Sequence, residues 1–241
     1  MKYLISILFL LLFSISSWSQ INQISVGLGR ADQWYQPIYT YLGDTAIGYE
    51  SQQSMDSRMM YVVTLDHSYK KLNIYHTLAY SVMFTEVNII IPSRIIGLYL
   101  TDKAVSKVPT FDYSFNLSLL RPTNRLSLYG GVNLRLQFPL KPNISPYLSQ
   151  WKANFVESTY NSLTPVTLGV NLNLRYQTRW LRIEFGYIGD VTSSSRDFIH
   201  NGQIVNMAPL KMQKIYLVLS GPVFRREKPP KKLKKKYFIK N

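Results

Sequence analysis

The 241-residue chain has no cysteine, three histidines, and only 13 acidic residues against 28 Lys and Arg. Without cysteine there can be no disulfide scaffold and no thiolate metal site. His67, His76 and His200 are too few and too scattered to match metal-ligand spacing with carboxylates, so no metal or other cofactor is expected. A Gly-rich phosphate loop is also lacking. Gly27-Leu28-Gly29 falls within a strand-like stretch, where glycine eases curvature or leaves space. Long apolar runs are scarce in the body of the chain. A mean hydropathy of −0.07 speaks against a bundle of membrane helices, each of which needs about 20 apolar residues. Helical periodicity is weak throughout. What is present is a hydrophobic content of 46% with 14% aromatics, too apolar for a disordered chain. The length is ample for one domain with a sizeable core.

The exception to the scarcity of apolar runs is the start. Lys2 precedes an almost unbroken apolar stretch from Leu4 to Ile15, and Ser17-Trp18-Ser19 follows with small residues at the positions a signal peptidase reads. Residues 1–19 are therefore expected to be a secretory signal, cut before Gln20. No cysteine stands near the cut, which closes the lipoprotein route.

Beyond residue 20 the dominant pattern has period two. Leu72, Ile74, Leu78, Tyr80, Val82 and Phe84 share one parity. Phe111 to Leu119, Leu126 to Phe138 and Val166 to Tyr176 repeat the alternation, with Asn, Ser, Thr, Arg and Asp between the apolar residues. Shorter runs lie at 24–28, 59–65, 181–187 and 215–219. Period two places the apolar and polar sets on opposite faces of a strand, and the count is eight strands. Alternation alone also allows a soluble lipocalin-like barrel. Three features favour an inverted one. Several strands run past the usual 5–6 residues towards the length that crosses a bilayer at a tilt. Tight turns at 68–71, 121–125 and 177–180 alternate with long loops at 31–57, 86–108, 139–164 and 188–211. The polar faces carry Asp112, Arg135, Arg175, Arg182 and Glu184, which suits a hydrogen-bonded lumen.

With its leader, eight amphipathic strands, loop asymmetry and tyrosine-rich rims, the chain resembles the small outer-membrane β-barrels of Gram-negative bacteria, the group that includes the OmpA transmembrane domain and OmpX. The resemblance spans about residues 22–224. It implies an all-β, antiparallel, up-and-down transmembrane barrel of eight strands, with short periplasmic turns, long outer loops and a location in the outer membrane. Members commonly close on an aromatic residue. Phe224 fits that role, although 17 more residues follow it. Ten strands would result if 38–51 and 89–100 each formed a hairpin.

Some barrels of this group modify lipids with a His, a Ser and a carboxylate near the membrane rim, the nucleophile-and-base arrangement of acyl transfer. In this chain Asp66, His67 and Ser68 are adjacent on a strand, so neighbours point to opposite faces and do not form a relay. His76 falls on the apolar parity. The expectation is a non-enzymatic barrel, structural or serving as a partner in envelope assembly, secretion or surface attachment. Its five charged inner-face residues would pair and fill the lumen, which in eight strands is just wide enough for side chains, so a solute pore is disfavoured. Loop aromatics such as Trp34, Tyr35, Trp151 and Tyr160 offer a contact surface for a partner.

The end of the chain is the strongest compositional anomaly. Residues 225–241 hold Arg225, Arg226, Lys228, Lys231, Lys232, Lys234, Lys235, Lys236 and Lys240 against Glu227 alone. An exported barrel does not meet nucleic acid. The expected partners of this basic tail are outer-membrane lipids or a periplasmic protein.

Overall fold

The structure is a computed structural model, and it describes residues 21–35, 38–42, 45–51, 59–69, 72–92, 99–142, 149–207 and 209–226. The expected leader and the lysines of the tail lie outside the described residues. In chain order the elements are β1 (Ile21–Tyr35), β2 (Ile38–Leu42), β3 (Thr45–Ser51), β4 (Met59–Tyr69), β5 (Leu72–Pro92), β6 (Tyr99–Leu120) and β7 (Leu126–Gln137). Helix α1 (Gln150–Asn161) follows, then β8 (Val166–Gln177), β9 (Arg182–Asp190), β10 (Phe198–His200), β11 (Gln203–Val205) and β12 (Met212–Arg225).

Eight strands form a closed antiparallel ring in the order β5-β4-β1-β12-β9-β8-β7-β6, and β6 pairs back onto β5. The seam between the chain ends runs from Gln23↔Arg225 to Tyr35↔Met212. Alternation decides the faces. On β8, Thr167, Asn171, Asn173 and Arg175 are buried, while Leu168, Val170, Leu172 and Leu174 are exposed. The same inversion holds around the ring: Leu28 is 52% exposed and Val132 59%, while Arg135 and Lys214 are 0% exposed. A soluble lipocalin-like barrel has the opposite arrangement, with its apolar face inward. This barrel wears its apolar residues outside.

The links β4–β5, β6–β7 and β8–β9 lie at the same end as both ends of the ring, hereafter the turn end. Two of these links are held by a threonine. Thr123 Oγ1 accepts hydrogen bonds from the backbone N–H of Arg125 (3.2 Å) and Leu126 (2.9 Å). Thr178 Oγ1 accepts from those of Trp180 (3.3 Å) and Leu181 (3.0 Å). A side-chain oxygen that satisfies backbone donors in this way stabilises a short turn.

The opposite end departs from the four plain loops expected there. β5 and β6 continue as one hairpin to Pro92↔Tyr99, so 86–108 is largely strand. β3 pairs with β5 from Ser51↔Thr85 to Ala46↔Ile90, beyond the point where β4 leaves it at Met60↔Ser81. The hairpin in 38–51 is therefore real, but it lengthens the wall and adds no strand to the ring. The region 139–164 contains α1, whose buried Phe155, Val156, Thr159 and Tyr160 follow helical spacing. Within 188–211, β10 and β11 form a hairpin through Asn201 (φ 49°) and Gly202 (φ 75°), the left-handed pair that a two-residue turn requires.

Helix α1 stoppers this outer end. Phe155, Val156 and Tyr160 pack against Met83, Val87, Ile89, Ala104, Val108 and Met212, which occupy the inward parity of β5, β6 and β12. Tyr160 Oη donates to the Thr85 carbonyl at 3.1 Å. Burial there pushes the Tyr160 hydroxyl up to about 12.

Candidate functional site: the barrel interior

The five charged residues expected in one lumen network separate into two balanced quartets. Each quartet recruits members from outside the apolar runs that mark the strands in the sequence. The quartet nearer the turn end holds Arg175, Arg182, Asp66 and Glu184. Arg175, on β8, donates through Nη2 to Glu184 Oε2 (2.9 Å) and through Nη1 to Asp66 Oδ1 (2.9 Å). Its guanidinium also lies 3.5 Å from the centre of the Tyr75 ring and 4.9 Å from that of Tyr129. Arg182 donates to the other oxygen of Asp66.

Directly above stands a polar aromatic layer. Tyr216 Oη lies 2.6 Å from Asn173 Oδ1 and 3.0 Å from Glu184 Oε1. Asn173 Nδ2 donates to Tyr75 Oη and to Asn116 Oδ1, both at 2.8 Å. Gly186 makes this layer possible: a Cβ there would fall 2.2 Å from Tyr216 Cζ and 2.4 Å from Asn173 Oδ1.

The second quartet holds Asp112, Arg135, Asp190 and Lys214. Arg135 donates through Nε to Asp112 Oδ1 (2.8 Å) and through Nη1 to Asp190 Oδ1 (2.7 Å). Lys214 donates to Asp112 Oδ2 and to Ser81 Oγ, the latter at 2.9 Å. Asp190 Oδ2 accepts from Ser194 Oγ (3.0 Å) and from the Met212 backbone N–H (3.2 Å). All four side chains are nearly or wholly removed from solvent. Two cations facing two anions in each quartet leave the interior electrically neutral, and a buried charge is tolerable only when it is paired in this way.

Asp66, Asp190 and Lys214 are the members that apolar alternation misses. Each lies one to three residues beyond an apolar run, at Leu65, Tyr187 and Ile215 respectively. Inward parity is the signal that would have found them: Lys214 stands between Met212 and Tyr216 on the buried face of β12.

The histidines are placed outside this interior or in the cap. Asp66 turns inward to the arginines. His67 instead meets His76 edge-on, with ring centroids 5.2 Å apart, on the parity of the apolar outer face. His76 Nδ1 lies 2.7 Å from Tyr113 Oη. His200 packs in the cap between Trp151 and Phe155, and burial lowers its basicity. Tyr160 is 2% exposed, so it is withdrawn from the loop aromatics that would greet a partner. Of the tail residues, Arg225 is still the last residue of β12, and its guanidinium donates to Gln23 Oε1 at 2.9 and 3.1 Å. Arg226 continues the seam, its backbone N–H donating to the Asn22 carbonyl at 2.9 Å. Lys231, Lys232, Lys234, Lys235 and Lys236 lie outside the described residues.

No protein-family model matches the chain, and no curated protein matches it. Among solved structures it is similar to the translocator domain of the autotransporter NalP from Neisseria meningitidis, at 12% identity and a TM-score of 0.30. That alignment covers 91% of this chain and 95% of the other. It is also similar to the FrpB iron transporter of Neisseria meningitidis, at 11% identity and a TM-score of 0.21, covering 85% of this chain and 44% of the other.

Proposed function

We propose that the protein is a non-enzymatic outer-membrane barrel that crosses the bilayer with its eight strands, keeps its turn end in the periplasm and does not conduct solutes. On this reading it serves as a structural element or interaction partner in envelope assembly, secretion or surface attachment. The observation that carries the proposal is the inverted barrel wall around a neutral, ion-paired interior. An apolar exterior suits a lipid environment, and a closed ring leaves no unpaired strand edge within it. The 12-residue strands β7 and β8 exceed the roughly 9–11 residues that a tilted strand needs to cross. Against conduction stand the two quartets, the Tyr216–Asn173–Tyr75 layer and α1 in the outer mouth.

The test joins location to conductance. The protein should pellet with membranes after carbonate extraction, migrate differently in detergent gels before and after heating, and show no steady openings in planar bilayers. Recovery from the soluble periplasmic fraction would overturn the membrane reading, and steady single-channel currents would overturn the closed lumen.

A further inference from the structure

The net charge of the protein is distributed along the barrel axis in a way that neither the ring nor the lumen requires. The lumen is balanced, with Arg135, Arg175, Arg182 and Lys214 against Asp66, Asp112, Glu184 and Asp190. Among the described residues towards the outer end, seven basic residues are nearly matched by six acidic ones. The turn end is different. Arg121 and Arg125 flank one link, Arg179 sits in the next, Arg225 ends β12 and Arg226 follows it; all five are exposed. The sequence adds Lys70 and Lys71 in the link between β4 and β5, and no acidic residue occurs in any of these positions. In the sequence, seven lysines against Glu227 alone follow Arg226.

Three of these positions, one at each described link and one at the end of β12, have exposed apolar neighbours. Leu119 and Leu120 precede Arg121, Trp180 and Leu181 follow Arg179, and Val223 and Phe224 precede Arg225. The Arg179 guanidinium lies 4.8 Å from the centre of the Trp180 ring. An apolar or aromatic residue beside a cation is the pairing that seats a side chain at the boundary between acyl chains and headgroups.

We infer that the turn end is a basic collar that binds the anionic phosphate headgroups of the leaflet surrounding it. The inference rests on the membrane reading above. Geometry selects lipid over an acidic protein: the cations and their apolar neighbours recur at successive links around the circumference, where lipids stand, whereas a protein partner would engage one side. Each cation at an anionic surface adds attraction that salt weakens within a Debye length.

The test reconstitutes the full chain in phosphatidylcholine bilayers containing spin-labelled phosphatidylglycerol or spin-labelled phosphatidylcholine. The motionally restricted lipid fraction is measured at low and high salt. A several-fold preference for phosphatidylglycerol is expected at low salt, falling at high salt. Replacing Arg121, Arg125, Arg179 and Arg226 by Gln should abolish most of the preference while the number of restricted lipids and the heat-modifiable migration stay unchanged. The same four positions as Lys should retain it, as should a chain ending at Arg226. A preference that survives the Gln variant, or that disappears with residues 227–241 alone, overturns the collar. A chain that inserts and restricts lipid without any preference overturns it as well. Absence of any restricted lipid is a separate result: it overturns the membrane reading and the collar together.

Discussion

The two ends of the β5–β6 hairpin show the same pair of strands solving opposite problems. Between Ile74 and Ser81, β5 turns Tyr75, Thr77 and Ser81 inward to a polar interior and sends Ile74, Leu78 and Tyr80 outward. Past Met83 the phase changes: Val87 and Ile89 now carry the inward parity against α1, and Glu86 and Asn88 take the other. β6 mirrors the change, with Asp112, Ser114 and Asn116 inward below and Ala104 and Val108 inward above. Backbone and ladder run on without a break. The difference teaches that a sheet fixes which residues share a face, while the medium on each side decides which face is apolar. The lower wall is built for an apolar exterior, and the upper wall is a conventional core closed by a helix.

That contrast breaks most severely at the outer quartet. Asp112→Ala leaves Arg135 and Lys214 sharing Asp190 alone, and removal of one partner from a buried ion network costs about 3–5 kcal/mol. Urea unfolding of the reconstituted barrel should show the loss, and adding Lys214→Met should recover part of it by restoring one cation to one anion. If the double variant is no better than the single, charge balance is not what holds the lower interior.

Damage to the upper region should stay local. Phe155→Ala opens a cavity in the cap at a cost of about 3 kcal/mol. Trypsin cleavage after Lys152 should accelerate, while the unfolding midpoint of the ring stays close to that of the parent protein. A common fall of both would show that cap and ring are one cooperative unit.

A smaller perturbation sharpens the boundary layer. Gly186→Ala drives a methyl group into Tyr216 and Asn173, and overpacking of this kind costs about 1–3 kcal/mol. The near-ultraviolet circular dichroism of the buried tyrosines should change, with little effect on α1.

The least effect is expected from acid. His200 is buried beside Trp151 and Phe155, which depresses its folded-state basicity below the usual 6.5. The unfolded cap then binds the proton more readily than the folded one. The stability this histidine contributes is therefore present above pH 6.5 and is lost as the pH falls through the lower, folded value. Hydrogen exchange in β10 and β11 should speed up on acidification, and His200→Phe should remove that dependence while the quartets respond as before.

Much of the ring was legible in the sequence because lipid-type alternation is strict wherever the outer face is apolar. Leu126 to Gln137 and Val166 to Gln177 are strands almost to the residue. The reading failed where the phase changes. The stretch 86–108 loses its single-parity signature at Glu86 and Val87, so continuous strand looked like loop. Asp66, Asp190 and Lys214 were missed for a related reason: the inward-facing ladder continues past the last outward apolar residue. Helix α1 was hidden by a stripe of only four buried residues, two of them Thr159 and Tyr160. The five interior charges were recognisable from their parity. Their division into two groups depends on which strands become neighbours, and only closure of the ring decides that.

Closure also has a consequence for the order of events in time. The seam joins Ile24 to Phe224, so the first ring strand finds one of its two neighbours only when the last has been made. Until β12 arrives, β1 and β9 each present a bare row of hydrogen-bonding groups, a template for pairing with other chains. Such a polypeptide has to be kept apart from its copies until that strand is in place. Its edges are then extinguished in a single late step, as loop closure across nearly the entire chain is completed.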